Sequence, residues 1–407
     1  MRKLNEHGTL GYLRLEALPA LQLHTINETL LPNLIYLNLW RVCGPFTPFI
    51  PLFLSPRTTS IFLSFSSNPQ EVMVAPMVTT FPKFPKLCPN LQAIVFHSLP
   101  RNPMITAAVS EMLLATNPNT LQKFHVDSPL TEEASEVIYR LPNLCDLSVF
   151  IEGETSLPSA SLPNLTSLVI TSDNEGAWPQ LFHGATFGKL KSAQFFPQSE
   201  RIGNFLEAFE RATPSSSIRN TLSEFHLSSS RSSNPNYPSL PPFAQLIDLA
   251  IKFPCDNGCS SRVDDQLVVN LSRLMPRLQV LRLGYDPCRE FIIGVTAKGL
   301  AALALHCPNL RSLCVHFCVA SLISPPASPG MTPNAEPTAS WTDCALTELA
   351  VGEILVPKES ALMVAQALLH IFPRIESVGF DDGGWEEVGD AIRLSNCSSK
   401  RHALTIC

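Results

Sequence analysis

The chain has 407 residues, 45% of them hydrophobic and 16% charged, with a formal net charge of -6. That length can bury a sizeable core, while the weakly negative balance gives no electrostatic reason to approach nucleic acid or an anionic membrane. No run of 18 apolar residues occurs and the first twenty residues lack the apolar stretch of a signal sequence, so the expectation is a soluble cytoplasmic and/or nuclear protein whose partners are proteins.

Twelve cysteines are too few for a disulfide scaffold, and in a reducing compartment most of them are expected to be buried thiols. Thirty-six prolines against only 18 glycines, spread along the chain, act as punctuation within a fold.

In chain order, the template L-x-x-L-x-L recurs with other apolar residues allowed. Leu10/Leu13/Leu15 and Leu34/Leu37/Leu39 come first, followed by Ile61/Leu63, Leu91/Ile94/Phe96, Leu121/Phe124/Val126, Leu144/Leu147/Val149, Leu165/Leu168/Ile170 and Leu190/Ala193/Phe195. Leu222/Phe225/Leu227, Leu246/Leu249/Ile251, Leu278/Leu281/Leu283, Leu310/Leu313/Val315, Leu346/Leu349/Val351 and Ile375/Val378/Phe380 complete about fourteen units. The interval runs from 21 residues (Leu144 to Leu165) to 36 (Leu310 to Leu346), so the longer units carry insertions.

Between these strands, apolar residues at i, i+3, i+4 and i+7 predict helices over 105–116, 131–141, 203–213, 264–275, 296–307 and 359–372. The junctions also repeat: LPNL at 31, 141 and 162, CPNL at 88 and 307, MPRL at 275 and FPRI at 372. Proline cannot continue a helix and pushes the residue before it to extended geometry, so each junction stops a helix and turns the chain into a strand.

One such unit cannot bury its apolar face alone, whereas stacking buries it against neighbours. The predicted fold is therefore α/β: a leucine-rich-repeat solenoid, a horseshoe of the ribonuclease-inhibitor kind, with short parallel strands inside and helices outside. It is expected to be a single domain over 1–407. Two Ser/Pro-rich stretches, 228–242 and 321–340, are expected loops, and a short helix over 385–394, with Trp385, Val388 and Ile392 on one side, is expected to cap the end. Asp264–Asp265 and Asp381–Asp382 are read as helix-starting carboxylates.

On each strand the leucines point inward, and alternation leaves the intervening residues on the concave face. The partner-binding candidates are Tyr36, Asn38, Trp40, His97, Lys123, His125, Phe150, His226, Arg282 and His316, with Tyr12, Arg14, Phe62, Asp127, Phe196 and Glu224 on the same face. Aromatic residues and arginine dominate interface energetics, which puts Tyr36, Trp40 and Arg282 first. Catalytic, metal and cofactor sites are not expected. Phosphate-loop, dinucleotide and nucleophile-elbow motifs are all missing. Cys255-x3-Cys259 and Cys314-x-His316-x-Cys318 lack the paired arms of a zinc site. His97 and His125, on neighbouring strands, have no accompanying nucleophile.

The stretches CPNLQAIVFHSLP, SLPNLTSLVI, CDNGCSSRVDD, MPRLQVLRLGYDPC and GWEEV together resemble the leucine-rich-repeat region of a group of fungal F-box proteins expanded in basidiomycetes. The resemblance covers the chain from about residue 30 onward. It implies repeats that select a protein substrate for a cullin-based ubiquitin ligase, recruited through an N-terminal F-box that docks on a Skp-type adaptor. No F-box helix of the LP-x-E-I-L-x-x-I-F kind is legible before the first repeat, so an adaptor is expected only if an F-box lies upstream. The alternative is a stand-alone leucine-rich-repeat binding module.

Overall fold

The computed structural model describes residues 3–6, 29–66, 74–152, 162–173, 187–197, 216–229, 243–252, 263–284, 294–323, 344–351, 356, 358–380 and 385–404. By contacts the chain divides into two compact units, Met1–Lys191 and Ser192–Cys407.

In the first unit the strands are β1 (Lys3–Glu6), β2 (Tyr36–Val42), β3 (Ser60–Phe65), β4 (Ala93–His97), β5 (Lys123–Val126), β6 (Asp146–Ile151) and β7 (Ser167–Ser172). Each pairs in parallel with the next in sequence. The register aligns the repeats residue for residue. Leu37, Ile61, Ile94, Phe124, Leu147 and Leu168 form one row, and Leu39, Leu63, Phe96, Val126, Val149 and Ile170 a second. No residue of either row is more than 4% exposed. Each such side chain stabilises the fold by roughly 1.5–3 kcal/mol through apolar burial, and that gain exists only because a neighbouring repeat covers it.

The turn before each strand is stitched the same way. The Ile35 carbonyl accepts from Thr59 and Ser60 N–H, Thr59 from Gln92 and Ala93, Gln92 from Gln122 and Lys123, and Gln122 from Cys145 and Asp146. In the repeat of β3, the place taken elsewhere by a leading leucine belongs to Thr58. It is fully buried, and its hydroxyl donates to the Leu34 carbonyl at 3.0 Å. That bond removes the desolvation cost of the polar substitution.

The connections carry the helices. Val74–Thr80 (α1), Phe84–Leu87 (α2), Pro103–Ala115 (α3) and Glu132–Ile138 (α4) lie in this unit, with a 3-10 helix at Gly44–Phe53 and another at Phe81–Lys83. Asn102 caps α3 by accepting from Met104 N–H at 2.9 Å, with Pro103 at the first helical position. Phe65, Phe81, Phe84 and Phe96 pack as a ring cluster under β3 and β4, with Phe81 and Phe96 centroids 5.0 Å apart.

The second unit repeats the plan with β8 (Ser192–Pro197), β9 (Glu224–Ser228), β10 (Asp248–Lys252), β11 (Val280–Leu283), β12 (Ser312–Val315), β13 (Glu348–Val351) and β14 (Ser377–Phe380). Consecutive strands are again parallel. Its helices are α5 (Ser216–Thr221), α6 (Asp265–Leu274), α7 (Ala297–His306), α8 (Val319–Ile323), α9 (Ala361–Ile371) and α10 (Trp385–Leu404). This is the expected solenoid arrangement of short parallel strands and connecting helices.

The proline junctions behave as their chemistry demands. Cys88, Met275, Cys307 and Phe372, each just before a proline, are helix C-caps with φ between -120° and -132° and ψ between 64° and 80°. Each cap N–H still bonds back into its helix, but its ψ has already left the helical range the following proline forbids. All four side chains are buried, so the stop doubles as a core position.

Asp264 caps its own helix, accepting from Leu267 N–H at 2.9 Å, as expected of it. Asp265 does something else. Its carboxylate reaches the next repeat and accepts from Thr296 N–H at 2.7 Å, the Thr296 hydroxyl at 2.5 Å and Gly299 N–H at 3.2 Å, holding the first turn of α7.

Several boundaries differ from expectation. The copy at Leu10/Leu13/Leu15 lies outside the described residues, and the strand that precedes β2 is Lys3–Glu6, with Leu4 opposite Leu37. The helix at 203–213, Asp381–Asp382 and most of the two Ser/Pro-rich stretches also lie outside them. Ser228 belongs to β9, and residues 321–323 belong to α8. The terminal helix runs to Leu404, beyond the expected 394, while Trp385, Val388 and Ile392 are fully buried as anticipated. Of the seven described cysteines only Cys88, Cys307 and Cys344 are buried; Cys43, Cys145, Cys314 and Cys318 are half-exposed, because alternation or a turn places them at the surface. Among the described residues no helix is long and apolar enough to cross a membrane.

Candidate functional site: the open strand faces

The register that buries the leucines sets the intervening residues in rows on the opposite, open face. In the first unit these are Tyr36, Asn38 and Trp40 on β2, Phe62 on β3, Val95 and His97 on β4, Lys123 and His125 on β5, and Asp146, Ser148 and Phe150 on β6.

Two groups converge on Asp146. Lys123 Nζ donates to Asp146 Oδ2 at 2.7 Å, and His125 Nε2 lies 2.7 Å from Asp146 Oδ1. The carboxylate can only accept, which makes Nε2 the protonated nitrogen of His125. Burial alone would raise the Asp146 carboxyl; the hydrogen bonds from His125 and Lys123 outweigh it and hold the group down at about 2. The aspartate is anionic, with the Lys123 ammonium against one oxygen and the His125 N–H against the other.

Beside it, His97 Nδ1 lies 3.7 Å from Asp127 Oδ2, the same oxygen that accepts from Ser98 N–H at 2.9 Å. Ser98 has φ 58°, a left-handed conformation that aims its N–H at the carboxylate. Burial pushes the Asp127 carboxyl up, but His97 and Ser98 together leave it below its ordinary value. His97 also packs at a tilt against Phe62 (5.2 Å between centroids), which packs at a tilt against Trp40 (5.7 Å), so aromatic rings run across β2, β3 and β4.

In the second unit the device on Asp146 has a counterpart. His226 Nε2 lies 3.3 Å from Asp248 Oδ1, and Arg282 Nη1 approaches the same oxygen at 3.5 Å from the other side. Neither His226 Nε2 nor Asp248 Oδ1 makes a hydrogen bond, so this contact is looser than the one on Asp146. A recess of about 240 Å³ opens beside it, lined by Ala250, Ile251, Lys252 and Arg282.

Of the ten leading candidates, Tyr36, Trp40, His97, Lys123, His125, His226 and Arg282 reach the surface at least in part. Three do not. Asn38 is 8% exposed; Phe150 is 4% exposed and lies beneath the Arg101 guanidinium, 4.1 Å from its ring centre; His316 is 5% exposed, its ring against Gly284. Alternation gives the face a residue occupies but not what folds over it. Among the secondary candidates Asp127 and Glu224 are exposed, Phe62 and Phe196 are partly exposed, and Tyr12 and Arg14 lie outside the described residues. His97 and His125 are each bound to a different carboxylate and do not form a pair.

Sequence reading missed Asp146, Asp248 and Arg101. A signal for the first two exists: Phe-His-Val at 124–126 is followed by Asp-Leu at 146–147, and Phe-His-Leu at 225–227 by Asp-Leu at 248–249, at the same strand positions. Among the described residues no three His, Cys, Asp or Glu side chains converge as metal ligands. Comparison with protein-family models and with curated proteins finds no match for this chain.

Proposed function

We propose that the protein is a non-catalytic binding protein that holds a protein partner across the open faces of its parallel strands. The observation that carries this reading is the makeup of the first unit's face. Aromatic rings at Trp40 and Phe62 stand beside fixed charges at Lys123, Asp146 and Asp127, a mixture typical of interface anchors with oriented polar groups around them. The charges are already oriented by their neighbours, so a partner meets a preorganised surface. His125 is committed through Nε2 to Asp146, a positioning role rather than that of a free base.

A photo-crosslinking residue at Ser148, on the open face, and another at Glu111, on the helix side, test the reading in cells. A partner that is captured at position 148, competes with the unlabelled protein and is absent at position 111 supports it. Equal capture at both positions removes it.

The resemblance to F-box repeat proteins supports a narrower proposal, that the partner is a substrate for a cullin-based ubiquitin ligase. Co-purification of the gene's full product with a Skp-type adaptor tests that step; its failure leaves a stand-alone binding module.

A further inference from the structure

Resting on that reading, we propose that the ladder Trp40–Phe62–His97, closed by Asp127, is a recognition site for an arginine or lysine side chain of the partner. The ladder runs over β2, β3 and β4 to the residue just after β5: tilted ring contacts at 5.7 and 5.2 Å, then His97 Nδ1 at 3.7 Å from the Asp127 carboxylate. Aromatic faces carry negative potential and attract a cation. A planar guanidinium can lie on a ring while its N–H groups reach a carboxylate.

Charge complementarity selects this occupant. Of the two carboxylates on this part of the face, Asp146 is neutralised by Lys123 and His125, whereas Asp127 keeps 49% of its side chain exposed beside the rings. Arg101, which follows β4, lies over the Phe150 ring. The strand bulge at Arg41 (φ 53°) breaks the alternation immediately after Trp40.

The test titrates the full chain with the peptide Ac-(Gly-Arg)4-NH2, the same peptide with citrulline for arginine, and Ac-(Gly-Glu)4-NH2, read by calorimetry. Saturable binding of the arginine peptide alone is expected. Trp40→Ala and Asp127→Asn should each weaken it about five-fold, and Trp40→Phe, which keeps a ring, should leave it within about two-fold. Melting curves matched to the parent protein show that each variant is folded. Absence of saturable binding, equal binding of the citrulline peptide, or insensitivity to both Trp40→Ala and Asp127→Asn would overturn the proposal. A partner crosslinked through position 148 that the arginine peptide does not displace would sink this site and leave the broader binding reading standing.

Discussion

Asp146 sits 2.7 Å from both His125 Nε2 and Lys123 Nζ, one carboxylate joining a strand to the one before it. Its folded carboxyl lies at about 2 against an ordinary 3.8, so the stability it contributes is fully present above about pH 4 and is lost as pH falls through 2. That contribution is about 1–2 kcal/mol after allowance for the partial exposure of the pair. Lys123→Ala and His125→Ala should each move the Asp146 carboxyl upward, read by carbon NMR of the labelled side chain. They should also flatten the stability difference between pH 5 and pH 2; an Asp146 titration unmoved by either variant would contradict the assignment.

Asp265 links two repeats by capping the helix of the next one, and the contact leaves no space at Gly299. A Cβ placed there would stand 2.5 Å from Asp265 Oδ1 and 2.6 Å from Val295 Cγ1. Asp265→Ala should cost about 1–2 kcal/mol in chemical denaturation, as loss of a cap does. Gly299→Ala, although it raises helix propensity, should destabilise as well, because both clashing neighbours are packed. A Gly299→Ala protein as stable as the parent would show that the two helices can separate at no cost.

The thiols of Cys88 and Cys307 are pushed up to about 12 by burial, in each case the leading cause. Thiolate is the reactive form, so neither should react with a thiol reagent at pH 8 in the folded protein. Both should react once denaturant is added, while half-exposed Cys43 and Cys145 react first. Mass spectrometry of the labelled peptides distinguishes the sites.

Phe96 is fully buried and touches Phe65, Phe81 and Phe84 at once. Phe96→Ala should cost about 3–5 kcal/mol by cavity formation. Phe96→Leu, which keeps most of the volume, should cost clearly less; equal losses would mean that the ring contacts, and not the filled space, hold this part of the core.

How much of this was legible beforehand differs from residue to residue. The leucine rows, the proline stops and the helix at 264–275 are local signals: a fixed spacing, a missing N–H, an apolar stripe. They survive because each repeat satisfies them within some ten residues. Thr58 was hidden inside a loose copy of the template because its compensation, a bond to the Leu34 carbonyl, comes from 24 residues away. Asn38, Phe150 and His316 lay on the expected face, but only the packed structure shows what covers Phe150 or presses on His316.

The amino-acid sequence by itself determined that the chain repeats, which side chains turn inward and where each helix stops, since periodicity and proline act within a single unit. Tertiary structure alone decided which charges meet. His125 finds Asp146, His226 finds Asp248 and Asp265 finds Thr296 across 21 to 31 residues of chain, and those distances close only when the parallel register stacks one repeat on the next.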